Sequence, residues 1–211
     1  KPVFFTGAIP KYSVVDFLPV NIDNDPKPEV VFLTTSSMDV IKLNGTKASS
    51  FWGSEYKKSF PRRGLAGTIF ARQSGGKTTM FVSMNVFSGS IVYQWEGGNP
   101  VRKRNLDSFI ADIDPVSGGA LTSQYVKGKI TFSGANTAII DSLGDNGKKY
   151  PVKPPSDYLA GCIVEYQKAA PDLSTIAVVD ESGRIKVIRG GAAKPLVETE
   201  PRAGGALDCW R

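Results

Sequence analysis

A short apolar segment with Asp or Gly at a matching place recurs five times along this chain. The five copies are Val14-Val15-Asp16-Phe17, Leu65-Ala66-Gly67-Thr68, Ile110-Ala111-Asp112-Ile113, Leu159-Ala160-Gly161-Cys162 and Ala206-Leu207-Asp208-Cys209. Successive copies lie roughly 45–51 residues apart, the length of a four-stranded propeller blade, whereas the turns of a β-sandwich recur every ~8–12 residues with no longer period. The segments after each copy recur as well. A second apolar run follows at Glu29 to Leu33, Thr79 to Val82 and Thr175 to Val179, with a poorer match at Ala120 to Val126. A third follows at Met38 to Leu43, Ser90 to Trp95 and Arg184 to Ile188. Turn chemistry closes these runs at Asn44-Gly45, Gly97-Gly98, Asp145-Asn146-Gly147 and Gly190-Gly191.

No window sustains a 3.6-residue apolar period, so helices are expected to be few. The expected fold is all-β: a β-propeller of four-stranded blades forming one domain over residues 1–211. Its repeats run approximately over 13–63, 64–107, 108–156 and 157–204, and a fifth starts at 205–211. Small residues (Ala66, Gly67, Ala111, Ala160, Gly161, Ala206) suit crowded innermost strands. About four and a half units are counted, and two arrangements satisfy that count. One is a four-bladed ring with exchanged end strands, Pro2 to Phe5 pairing near the C-terminus. The other, which we favour, is part of a larger propeller, the last segment stopping inside a strand.

Composition excludes several function classes. The chain has no His, which removes His-based acid–base catalysis and His-ligated metals. No apolar run approaches the ~18–20 residues of a membrane span. Gly76-Lys77-Thr78 lacks the earlier glycine of a phosphate-binding loop, because Ala71 stands in its place, and the run reads as a hairpin turn. No Gly-x-Ser-x-Gly elbow is present. Carboxylate pairs such as Asp112 and Asp114 are not set apart from turn duty. The expectation is therefore a protein that is not an enzyme.

The segment from Asn21 to Val31, Asn-Ile-Asp-Asn-Asp-Pro-Lys-Pro-Glu-Val-Val, places oxygen side chains at its first, third, fifth and ninth positions before an apolar strand. Alternate residues of such a loop can converge on one hard cation. The stretch resembles the calcium loop of FG-GAP/VCBS repeats, the blades of integrin-α-like propellers. It departs from that pattern at Pro26, where the family has Gly. The resemblance covers the whole chain in period and this one blade in motif. It implies a Ca²⁺ site of Asn21, Asp23, Asp25 and Glu29; the alternative is that these residues make Asx turns.

Basic residues gather in or near the fourth strand of each repeat: Lys57, Lys58, Arg62 and Arg63; Arg102, Lys103 and Arg104; Lys148, Lys149 and Lys153; and Arg202. With a net charge of +6, they mark an expected binding face for an acidic protein surface or an anionic, cell-surface glycan. The alternative is solvated loop charge, since acidic residues are interleaved. Aromatic interleaving is absent, so nucleic acid is not an expected partner. Trp95 is either a sugar platform or a packing residue. Cys162 and Cys209 permit one disulfide, whose roughly 48-residue loop contributes about 4 kcal/mol in the chain-entropy model; two buried free thiols are the other possibility.

The function expected from these features is a non-catalytic module mediating adhesion or protein–protein assembly through one propeller face. Its location is expected to be secreted, periplasmic or cell-surface. The partner is expected to be another protein or the rest of a larger propeller. A carbohydrate-binding propeller is the nearest alternative, and a propeller-fold polysaccharide-active enzyme is a further one.

Overall fold

The computed structural model describes residues 14–23, 25, 27–35, 37–42, 47–51, 66–96, 99–144, 146–192 and 194–201. They form sixteen antiparallel strands in four sheets of four, each sheet a meander in chain order. The first sheet holds β1 (Val14–Val20), β2 (Glu29–Thr34), β3 (Met38–Lys42) and β4 (Lys47–Phe51). The second holds β5 (Gly67–Ser74), β6 (Lys77–Met84), β7 (Ser90–Glu96) and β8 (Asn99–Leu106). The third holds β9 (Phe109–Ile113), β10 (Ala120–Ser123), β11 (Ala138–Ile140) and β12 (Lys149–Pro151). The fourth holds β13 (Tyr158–Glu165), β14 (Thr175–Asp180), β15 (Ile185–Arg189) and β16 (Val197–Glu198).

The fold is all-β, a β-propeller with four four-stranded blades, and each blade falls inside one sequence repeat. The chain divides into two compact units between Asp107 and Ser108, a blade boundary, so each unit carries two blades.

Strand formation follows from local chemistry. The two middle strands of each blade have a neighbour on both sides in their sheet, and they carry much of the buried apolar surface; all six residues of β14 are buried. The β5–β6 hairpin turns on Gly75 and Gly76, with φ of 57° and 71°. Positive φ at both central residues gives the strand twist its matching two-residue turn, and glycine adopts it without strain. This is the Gly-Gly-Lys-Thr run that the sequence also read as a turn.

The third repeat, where sequence matching was poorest, has an excursion between β10 and β11. The excursion lets Tyr125 sit between Phe109 and Phe132, with ring centroids 4.6 and 4.4 Å away. Phe132 in turn lies 5.4 Å from Tyr158. This aromatic row fills the space that a short hairpin would leave.

Inside each unit the two blades are joined in the same way. Asp16 Oδ2 accepts the Ile69 N–H at 2.9 Å, and its Oδ1 accepts Phe17 N–H at 2.9 Å. In the second unit Asp112 Oδ2 accepts the Ile163 N–H at 2.8 Å, and its Oδ1 accepts Ile113 N–H at 2.8 Å. In both inner strands the pairing register shifts at the residue just before the aspartate, Val15 or Ala111. Such an extra residue re-aims the next side chain. The strand partners of the two aspartates are Leu33 and Leu121, both fully buried. A Cβ on Gly67 would lie 3.1 Å from Leu33, and one on Gly161 would lie 3.2 Å from Leu121. The aspartate and glycine columns of the repeat are therefore the two halves of one blade-to-blade joint, Asp from the first blade and Gly from the second.

Candidate functional site

The β1–β2 loop of the first unit assembles the strongest charged constellation predicted from sequence. Carboxylate oxygens of Asp23, Asp25 and Glu29 all lie within 4.8 Å of one another. Glu29 opens β2 and is 1% exposed; its Oε2 accepts Ile22 N–H at 3.0 Å. Asp23 Oδ1 accepts Asp25 N–H at 3.2 Å, and Asp25 Oδ1 accepts Lys27 N–H at 2.7 Å. These are the Asx-type turns that an Asn/Asp-rich loop favours.

Asn21 ties the loop down. Its side-chain amide donates to the Asp25 carbonyl, while its own carbonyl accepts Gln73 Nε2 at 2.6 Å and the buried Thr78 hydroxyl at 2.9 Å. The loop of the first blade is thereby held by the β5–β6 hairpin of the second.

A cation already stands in this cluster. β3 pairs Lys42 directly opposite Glu29. From there its ammonium reaches Asp23 Oδ2 at 3.0 Å and Asp25 Oδ2 at 3.9 Å. The Asp23 bond and its charge raise the Lys42 pKa. Burial works to raise the Asp23 carboxyl, but the Lys42 bond, the Asp25 N–H and the Lys42 charge outweigh it and lower the value. Glu29 goes the other way: burial raises it, the Ile22 N–H opposes, and the Asp23 and Asp25 charges add to the rise.

Ca²⁺ requires six to eight oxygens whose lone pairs face it. Here both oxygens of Asp23, both of Asp25 and one of Glu29 already face an N–H donor or the ammonium. Carboxylates are the right donor type for calcium. What does not fit a resident calcium ion is the fixed positive charge of Lys42 among them.

The other sequence candidates lie elsewhere. Arg102, Lys103 and Arg104 share β8, the last strand of its sheet, where Arg102 and Lys103 are exposed and Arg104 is half-buried. Lys103 pairs with Glu96 at 2.7 Å, and Arg102 donates to Asn105 Oδ1 at 2.9 Å. The β7–β8 register shifts between Val92 and Tyr93, leaving Lys103 as the extra residue. Trp95 on β7 is half-buried, and its indole N–H is buried with no hydrogen-bond partner among the described residues. Cys162 is buried on β13, opposite Ala177. Arg62, Arg63 and Cys209 lie outside the described residues, as do Lys57, Lys58 and Arg202.

Sequence reading missed two polar features. Lys42 was not placed with the acidic loop, although its position at the end of β3, directly across from the start of β2, was a usable signal. The second is a buried pair in the fourth blade. Lys186 Nζ lies 2.9 Å from Asp180 Oδ2 and 3.1 Å from Ser156 Oγ. Asp180 Oδ1 also accepts Ser182 N–H, Ser182 Oγ–H and Arg184 N–H at 2.9, 2.6 and 3.1 Å. Burial works to raise the Asp180 carboxyl, but these bonds outweigh it and hold the carboxyl well below the usual carboxylate range. The pair closes the β14–β15 hairpin.

No protein-family model matches the chain, and no curated protein sequence matches it. Among the described residues no helix is long and apolar enough to cross a membrane.

Proposed function

We propose that this propeller is a non-catalytic interaction module that engages an acidic protein surface through the basic outer strand β8. The observation that supports this reading is the placement of Arg102, Lys103 and Arg104, consecutive in sequence, on an eight-residue edge strand that is mostly solvent-facing. Clustered surface cations steer association with an acidic partner and set its orientation. The bulge at Lys103 and the charges themselves protect the edge against a further strand, so the contact is made by side chains rather than by strand addition. The Trp95 indole N–H is buried, which favours charge over a sugar-stacking platform as the basis of recognition. We further assign the module to an extracytoplasmic setting, with Cys162 and Cys209 paired.

The test is binding of the whole chain to immobilised poly-glutamate and, separately, to heparin oligosaccharides. Wild type and Arg102→Glu/Lys103→Glu are compared across salt. Poly-glutamate binding is expected to fall by about tenfold or more between low and physiological salt and to vanish in the variant. Equal binding by both proteins would sink the β8 assignment. Binding to heparin alone would transfer the site to the anionic-glycan reading.

A further inference from the structure

We propose that the Lys42 ammonium is the resident cation of the β1–β2 loop, standing where a repeat of the calcium-loop type would hold a metal, and that it makes this blade metal-independent. Three carboxylates drawn within 4.8 Å of one another repel unless a positive charge lies among them. The antiparallel register sets Lys42 across from Glu29, at the base of the loop, and its side chain bridges Asp23 and Asp25 at 3.0 and 3.9 Å. A divalent ion and the ammonium compete for the same oxygens. The ammonium has the advantage of being tethered, so it pays no association entropy. Three further carboxylate oxygens accept the Ile22, Asp25 and Lys27 N–H groups, so the loop keeps its turn geometry without a metal to organise it. The β5–β6 hairpin fixes the loop from outside through Gln73 and Thr78.

The experiment follows thermal unfolding of the whole chain as wild type, Lys42→Met and Lys42→Met/Asp23→Asn. Each is run in chelator and in about 10 mM CaCl₂, with calcium uptake measured by equilibrium dialysis. The wild-type midpoint is expected to move by less than about 1 °C between the two conditions and the protein to retain no calcium. Lys42→Met should melt below wild type in chelator, take up calcium, and rise by roughly 3 °C or more in CaCl₂, as a sub-millimolar site would give. The double variant should recover stability in chelator, because one carboxylate charge has gone with the ammonium.

Three results would overturn the proposal. They are calcium uptake and stabilisation in wild type, a Lys42→Met protein that melts with wild type in chelator, and a Lys42→Met protein that takes up no calcium. If Lys42→Met does not fold in chelator, the double variant and refolding in CaCl₂ decide: folding in both supports the proposal, and failure of either rejects it.

Discussion

Asp112→Ala and Asp112→Asn together test the blade joint. Asp112 accepts the Ile113 N–H of its own strand at Oδ1 and the Ile163 N–H of the next blade at Oδ2, both at 2.8 Å. Removing the carboxylate strips a charge-assisted bond from each. Ile163 is fully buried, so water does not readily replace the lost acceptor, and losing such a bond costs about 1–3 kcal/mol. Ile113 is half-buried and recovers part of its loss by hydration. The alanine variant should therefore lose about 2–4 kcal/mol in chemical denaturation. For a chain of this size that is a fall in Tm of roughly 5–12 °C.

Asparagine is the discriminating change. Its single carbonyl oxygen satisfies one N–H, while its NH₂ is driven against the other. If the joint works through two acceptors, Asn should recover less than half of the alanine loss. If Asp112 merely fills space, Asn should match wild type. Hydrogen exchange at Ile163 provides a second readout, since its protection should drop in both variants. An alanine variant within about 0.5 kcal/mol of wild type, or unchanged Ile163 exchange, would refute the joint. Asp16 and the Ile69 amide should behave in the same way in the first unit.

Other outcomes follow from the polar core. Lys186→Met removes the ammonium from Asp180 Oδ2 while the Ser182 and Arg184 donors stay on Oδ1, and should cost about 1.5–3 kcal/mol in denaturant, the range of a hydrogen bond to a charged group. Asp180 is held below its unfolded value, so its stabilisation is fully present above about pH 4 and is lost as pH falls below that; Asp180→Asn should flatten this acid limb in a Tm-against-pH series. Burial pushes the Tyr158 phenol up to about 12, with hydrogen bonds to Thr137 and Ser123 opposing. The folded protein therefore keeps a proton that the unfolded chain releases near pH ~10, and stability declines from there to the folded value. Tyr158→Phe should remove that alkaline decline while costing about 1 kcal/mol at neutral pH for the lost Thr137 bond. Alkylation of the unfolded, unreduced chain should label no thiol if Cys162 and Cys209 are paired, and two after reduction; labelling before reduction would reject the pairing.

The blades were legible in the sequence because their signals are local. Alternating apolar runs, turn glycines and a recurrent opening segment put each sheet inside its repeat, and β2, β3, β7 and β14 begin where their sequence runs do, within two residues. β11 was missed because Ala138 to Ile140 is short and follows an aromatic excursion whose only rationale is packing. In the acidic loop the residue types pointed to a hard cation, and the structure brings Asp23, Asp25 and Glu29 together as expected.

What the sequence could not show is what each side chain meets across the sheet or across a blade boundary. Lys42 reaches the acidic loop because strand register sets it opposite Glu29. Asp16 reaches an amide 53 residues away because a bulge turns it toward the next blade. By itself the sequence determined the period and, β11 apart, the middle strands and the β5–β6 turn, since backbone conformation answers to neighbouring residues. The tertiary structure decided which carboxylate serves a joint and which faces an ammonium, since Coulomb and hydrogen-bond energies depend on distances that only packing sets.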